Sequence, residues 1–337
     1  MILLITEQGA KVSIDAGKVI IKTSTLERFI PKEIIENVSI FGNVELTTSF
    51  IRHCLTRDIP ISYFSMRGEY FGRTISTSND NITRLKKQIQ IIEDQEFRKN
   101  FACITIDAKI NNQLTFLRRL NRNGRSIKEK IEEIVRLRSK IKEADTAEKI
   151  MGYEGIISRI YYKSISEKLP EEFKFEKRTR RPPRDPFNSM ISLGYTILFH
   201  EIIGHIESVG LTAYGGIVHG HRRNHPSLAS DLIEEFRIPI VDVTVVDLIL
   251  RGKVKKEDFE ITQEGVFLNQ KILKTYLGEI QKKLSTTQKY LNYLKEEVTY
   301  RRAIYNQAKK LVNAIEEEDA YIYEPLKIRW FYAKRRL

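Results

Sequence analysis

Polar and apolar residues alternate along roughly the first 75 positions. Val12 and Ile14 take every second place, and Asp15-Ala16-Gly17 leads into KVIIK at 18–22. Alternation with a period of two, broken by a glycine turn, marks half-buried strands joined in a hairpin. MILLI at the start, VSIF at 38–41, IPISYF at 59–64 and EYFGRTI at 69–75 are further short β-branched or aromatic runs bounded by Gly, Pro or Asn. Each predicts a strand. The polar stretch STSNDN at 76–81 keeps no period and predicts a linker.

From residue 82 onward the period is helical. Ser126-Ile-Lys-Glu129 has the spacing of a capping box, and Ile127, Ile131, Ile134, Val135 and Ile141 follow on one stripe. Asp145-Thr-Ala-Glu148 is a second start signal, and residues 188–208, NSMISLGYTILFHEIIGHIES, are apolar on most sides, as a helix central to a core would be. A long charged helix is expected through 280–315. The pattern predicts an α+β protein of two domains: a small β-rich, sandwich-like domain over 1–75, a linker at 76–81 and a larger all-α domain over 82–337.

Length agrees with two domains, since 337 residues exceed the usual single core. No run of eighteen apolar residues occurs, so no membrane span is expected. The apolar N-terminus has no basic segment before it and reads as a strand rather than a signal peptide. Two cysteines without metal-type spacing fit a reducing, cytoplasmic setting. Charge adds more. Lys and Arg number 57 against 44 Asp and Glu, a net +13 that suits a polyanionic partner. Residues 174–184, KFEKRTRRPPR, hold six positive charges and one negative, and 325–337 hold five and none. Pro182 and Pro183 make the first of these an extended loop that could follow a phosphate backbone or remain solvated.

Three segments could carry chemistry. HEIIGH at 200–205 resembles a zinc-protease helix, but His200 and His205 are five apart rather than four, about 140° around a helix. They read as core or helix-end histidines. Residues 215–237, GGIVHGHRRNHPSLASDLIEEFR, hold His219, His221 and His225 and then Asp231, Glu234 and Glu235. A helix over 228–237, ending before Pro239, would put those three carboxylates on one face opposite Leu232, Ile233 and Phe236. Imidazole with carboxylate suits a divalent cation, and Arg222 and Arg223 suit phosphates. In the third segment, Glu154 has Ile150, Ile157 and Tyr161 at helical spacing and projects from the apolar side of its helix, flanked by Gly152 and Gly155. A carboxylate there must take up a proton or find a cation. Arg159 could supply one, or a metal shared with His219 and a carboxylate of the 231–235 helix.

Taken together, GYEGIISRIYY, RTRRPPRDPFNSMISLGYTILF, VHGHRRNHPSLASDLIEEFR, the strand-rich start and the closing YIYEPLKIRWFY resemble the CRISPR-associated adaptation endonuclease and integrase, the Cas-one family, over essentially the whole chain. The resemblance implies metal ligands at Glu154, His219 and Glu234, with Asp231 as an acidic neighbour and Mg²⁺ or Mn²⁺ as the ion. It implies insertion of short DNA fragments into a repeat array by attack of a 3′-hydroxyl on a phosphodiester. It further implies a homodimer built through the sheet domains, and assembly with the companion protein Cas-two. Arg159, Arg178, Arg180, Arg181, Arg184, Arg222 and Arg223 are the candidates for holding DNA. His221 and His225 have no assigned role, and solvation is expected for both. Two competing readings stay open: a metal-dependent nuclease that does not join DNA, and a non-catalytic DNA-binding scaffold whose three acidic and imidazole groups form an ion-pair network with Arg159.

Overall fold

A computed structural model of the chain describes residues 2–76, 82–122, 126–220 and 222–328. Most of the expected linker, His221 and the basic tail beyond 328 lie outside the described residues. The chain divides into two compact units, Met1–Asp80 and Asn81–Leu337.

The N-terminal unit holds two four-stranded sheets. Its elements run β1 (Ile2–Ile5), β2 (Ala10–Asp15), β3 (Lys18–Lys22), β4 (Glu27–Pro31), β5 (Asn37–Phe41), β6 (Val44–Leu46), α1 (Thr48–Thr56), β7 (Ile61–Phe64) and β8 (Tyr70–Thr74). One sheet has the order β1-β5-β7-β8 and the other β4-β3-β2-β6. The β2–β3 hairpin turns on Ala16 and Gly17, both with positive φ, so that Asp15 faces Lys18. Two positive-φ residues make a type I′ turn, whose twist matches that of the flanking strands. Val12 and Val19 face one core shared with Leu3, Val38, Ile40 and Ile61 of the other sheet and with Phe50 and Cys54 of α1. Helix α1 departs from the strand pattern predicted for this region. Thr47 caps it by accepting from the Phe50 amide, and four-residue spacing places Phe50 and Cys54 together in the core.

The C-terminal unit is mostly helical. It contains α2 (Ile82–Glu93), α3 (Gln95–Leu120), α4 (Lys128–Lys142), α5 (Ala147–Ser166), α6 (Pro186–Ser208), α7 (Ser227–Phe236) and α8 (Val243–Leu250). After these come β9 (Phe259–Thr262), β10 (Gly265–Leu268), α9 (Gln270–Leu284), β11 (Thr287–Gln288), β12 (Val298–Thr299) and α10 (Tyr300–Glu316). The two short antiparallel pairs, β9 with β10 and β11 with β12, are additions to the expected all-α plan. The long helix expected at 280–315 is likewise interrupted. Helix α9 stops at Leu284, and α10 restarts where the Thr299 hydroxyl accepts from the Arg302 amide. Ser285, Thr286 and Thr287 favour hydrogen bonding to local backbone over helix continuation.

Helix α5 is capped by Thr146, whose hydroxyl accepts from the Lys149 amide. Helix α4 begins without a side-chain cap, so the capping box at Ser126 does not form, and Val135 lies exposed although Ile127, Ile134 and Ile141 are buried. Helix α7 ends at Phe236, before Pro239 as expected, but the chain does not leave the helical path there. The chain continues as a π-helical turn, Arg237–Asp242, and runs on into α8. Proline cannot donate an amide to the turn before it, and the wider π turn accommodates that missing bond. Helix α3 lies against α4, α5 and α7, which brings the candidate residues of three helices together. Among the described residues no helix is long and apolar enough to cross a membrane.

Candidate metal and nucleic-acid site

The centre of the site is a lysine. Lys109, on α3, is 8% exposed, and its ammonium contacts Glu154 Oε1 of α5 and, at 2.5 Å, Glu234 Oε2 of α7. Ser158, one helical turn after Glu154, donates to the same Oε1 at 2.6 Å. Glu234 Oε1 also lies 3.2 Å from Arg237 Nη2. Burial alone would raise the Glu234 pKa, but Arg237, Lys109 and His219 outweigh it and hold the carboxyl down to about 2. Burial would lower the Lys109 pKa, yet the charges of Glu154 and Glu234 raise it above a lysine's usual value. Lys109 and Glu234 are therefore both ionised near neutrality.

Asp231 does different work. Its carboxylate accepts from the amides of Ile217, Val218 and His219 at 2.6, 3.1 and 2.9 Å, and stands 2.7 Å from His219 Nδ1. A carboxylate only accepts, so Nδ1 carries the proton and the lone pair of Nε2 is left for another partner. Burial lowers the His219 pKa, but the hydrogen bond and charge of Asp231, with the charge of Glu234, raise it on balance. The loop before His219 is folded tightly enough to require glycine. A Cβ on Gly216 would come within 2.4 Å of Ser227 Cβ and 2.7 Å of the His219 carbonyl oxygen.

The three carboxylates expected on one face of α7 have three separate destinations, because α7 is buried on every side. Glu235 points to Gln307, Tyr323 and the Leu326 amide, which all donate to it. Burial, against those three donors, pushes its pKa up to about 7. It binds the C-terminal segment to α7 and takes no part in the cluster around Lys109. Arg159 is exposed and is not the partner of Glu154; Lys109 fills that role. His225 is not solvated as expected. It stacks on Phe199, with centroids 6.0 Å apart, and lies 2.9 Å from Ser230 Oγ. In HEIIGH, Glu201 is the buried group, paired with Arg301 at 3.1 Å and with His205 at 3.6 Å.

The arginines fall into two groups. Arg178 donates to Asn188 and lies over the rings of Tyr162 and Tyr195 at 5.3 and 5.7 Å, anchoring its loop. Arg180, Arg181, Arg184, Arg222 and Arg223 are exposed. After burial and His219, the charges of Arg222 and Arg181 lower the His225 pKa, so the two basic segments meet at the His219 loop. Sequence reasoning missed Lys109, Ser158 and Arg237. A signal for the lysine existed: Ala102, Thr105, Ile106, Lys109, Asn112, Gln113 and Phe116 follow the spacing of one buried stripe, so Lys109 is to α3 what Glu154 is to α5.

Among the described residues, no three His, Cys, Asp or Glu side chains are grouped to hold a metal as they stand. The chemistry of the donors nonetheless fits a divalent ion. Two carboxylates converge on one buried cation, and the neighbouring imidazole is oriented by a carboxylate, as metal-binding histidines are. Glu154, His219 and Glu234 are the residues that would hold the ion.

A β-rich unit and a helical unit in which two carboxylates meet one buried lysine, beside an oriented imidazole and exposed arginines, fit the class of enzymes that act on nucleic acid. Residues 3–282 match the family model for CRISPR associated protein Cas1. The chain belongs to the Cas1 family. The CRISPR-associated endonuclease Cas1 of Mycobacterium tuberculosis is 31% identical over 317 residues, covering 93% of this chain and 94% of the relative. Among solved structures, a casposase bound to integration product aligns with a TM-score of 0.85 and 25% identity, over 100% of this chain and 95% of that one. A Cas6-RT-Cas1–Cas2 complex aligns at 0.82 and 26%, over 98% of this chain but only 36% of the longer one.

Proposed function

We propose that this protein is a nuclease and integrase of CRISPR adaptation. It binds Mg²⁺ or Mn²⁺ through Glu154, His219 and Glu234, and joins the 3′-hydroxyl of a short DNA duplex to a phosphodiester of a repeat by direct transesterification. The observation that carries this reading is the convergence of Glu154 and Glu234 on one buried cation position beside an imidazole held by Asp231. The likeness to a casposase bound to integration product favours joining over cleavage alone.

When bound, the ion would polarise a phosphoryl oxygen and offset charge developing in the transition state, so no covalent enzyme intermediate is needed. The protein supplies position and charge. Asp231 fixes the ring of His219, Ser158 fixes the carboxylate of Glu154, and Arg237 keeps Glu234 ionised and in place. On the exposed side of α5, Gly152 and Gly155 flank Glu154, and a Cβ added to either would meet no atom within 4 Å. A DNA strand can lie close against that side. Arg159, Arg180, Arg181, Arg184, Arg222 and Arg223, all exposed, are the candidates to hold its phosphates, while Arg178 anchors the loop that carries three of these.

Exposed Phe29 on the edge strand β4, with Leu26 and Ile34 beside it, offers an apolar surface for a second copy of the chain. The alignment with a Cas6-RT-Cas1–Cas2 complex supports Cas2 as the further partner.

The test incubates the protein, with and without Cas2, with a short duplex bearing free 3′-hydroxyls and a supercoiled repeat-containing plasmid. Mn²⁺ or Mg²⁺ is compared with chelator, and wild type with folded Glu154→Ala and His219→Ala. Metal-dependent joined products lost in both variants are expected. Cleavage without joining in the assembled system would leave a plain nuclease. Tight DNA binding without metal-dependent chemistry would make the Lys109 cluster a structural ion-pair network and the protein a scaffold.

A further inference from the structure

Three carboxylates, Glu154, Glu234 and Asp231, share this site with two fixed cations, Lys109 and Arg237. Asp231 is satisfied by backbone amides and His219, and Arg237 is held against Glu234 and over the ring of Tyr195 at 4.6 Å. Lys109 is the cation that touches both remaining carboxylates, one from α5 and one from α7. Without a cation between them, the buried Glu234 and half-buried Glu154 carboxylates would repel and separate their helices or take up a proton.

We infer that Lys109 is an internal counter-ion, which holds Glu154 and Glu234 together while metal is absent and competes with the metal for them. The inference rests on the metal reading proposed above. It follows from charge and space. An ammonium and a divalent ion cannot occupy the same point between two carboxylates, and a lysine displaced by a few ångströms still repels the ion that displaced it. The metal-free protein thus keeps its ligands gathered at a cost in metal affinity. A DNA phosphate arriving with the ion adds negative charge beside the freed ammonium, so the lysine also links metal binding to substrate binding.

The experiment uses the full chain without DNA. Mn²⁺ binding is measured by the electron paramagnetic resonance signal of free Mn²⁺, and thermal unfolding is followed in chelator and in excess Mn²⁺. Lys109→Met is expected to bind Mn²⁺ about tenfold or more tightly than wild type, to unfold at lower temperature in chelator and to recover more than wild type on adding Mn²⁺. Lys109→Arg keeps the charge and should bind Mn²⁺ no more tightly than wild type. Equal or weaker Mn²⁺ binding by Lys109→Met would overturn the inference. If Lys109→Met does not fold in chelator, folding restored by Mn²⁺ supports it, and no restoration while Lys109→Arg folds normally overturns it. Glu154→Ala and His219→Ala separate the two levels. If they abolish Mn²⁺ binding while Lys109→Met leaves it unchanged, the counter-ion role alone fails; if they leave Mn²⁺ binding intact, the metal site itself is wrong.

Discussion

Gly155→Ala should make the protein more stable and less active. Gly155 lies in the interior of α5, exposed, and an added Cβ would meet nothing within 4 Å. Replacing an exposed interior helix glycine by alanine stabilises by about 1 kcal/mol, which for a unit of this size raises the melting temperature by about 2–4 °C. Among the described residues nothing opposes that gain. The position is also next to Glu154, where the proposed DNA strand lies, and a methyl group would hold that strand off by about 1.5 Å, the length of one carbon–carbon bond. Misplacement on that scale costs on the order of a hundredfold in rate when a reacting group must be aligned. Gly278→Ala on α9 is the control, because Gly278 is exposed with the same open surroundings and stands on a different helix. Both variants should melt higher in calorimetry, and only Gly155→Ala should join DNA more slowly at saturating metal. A Gly155→Ala protein that is more stable and joins DNA at the wild-type rate would refute a strand passing over this face.

Three further outcomes follow from the same geometry. Asp231→Asn turns one of the two accepting oxygens into an NH2 donor, so the side chain can no longer serve both His219 and the Ile217 and Val218 amides, and should weaken Mn²⁺ binding by about 10- to 100-fold; unchanged affinity in a folded variant would show that His219 needs no such support. Arg178→Ala should lower stability by about 1–3 kcal/mol through its lost ring and Asn188 contacts, whereas Arg222→Ala should leave stability alone and reduce the salt dependence of DNA binding by about one phosphate contact. Exchanged phenotypes would reverse the roles given to them. Glu201 titrates below its ordinary 4.5, because His205 and Arg301 outweigh the upward push of burial. It therefore stabilises the fold above about pH 4.5, and that contribution is lost as the pH falls through its lowered value. The stability gap between wild type and Glu201→Gln, about 3–5 kcal/mol at pH 7, should narrow in denaturant titrations towards pH 3, and a constant gap would count against the ion pair.

Much of this architecture is legible wherever a property is local. The β2–β3 hairpin shows in alternation around Asp15-Ala16-Gly17, and α6 in its nearly continuous apolar run. Helix α1 was hidden because nine residues between strands give a period little room to declare itself. Glu154 stood out as a charge on an apolar stripe, a purely local contradiction. Lys109 posed the same contradiction on α3, but which acid answers it depends on α3, α5 and α7 meeting, over separations of 45 residues and more. The role of Asp231 was less accessible still. Nothing in SLASDLIEEF tells that one carboxylate turns back to three amides, a second faces a lysine and a third ties down the segment near Leu326.

The π turn at Arg237–Asp242 sets the phase of a rod. Helices α7 and α8 run into one another, and the turn between them decides which way the second half faces. On the near side Glu234 and Arg237 look toward the site, and on the far side the Asp242 carboxylate accepts from the hydroxyls of Tyr161 and Tyr195 at 2.8 and 2.5 Å. Deleting one residue from the turn would rotate α8 by about 100° relative to α7 and swing Asp242 away from both tyrosines. Length at 237–242 is therefore under tighter constraint than identity. Natural insertions and deletions should avoid these six positions and collect instead in exposed connections such as the one between α8 and β9.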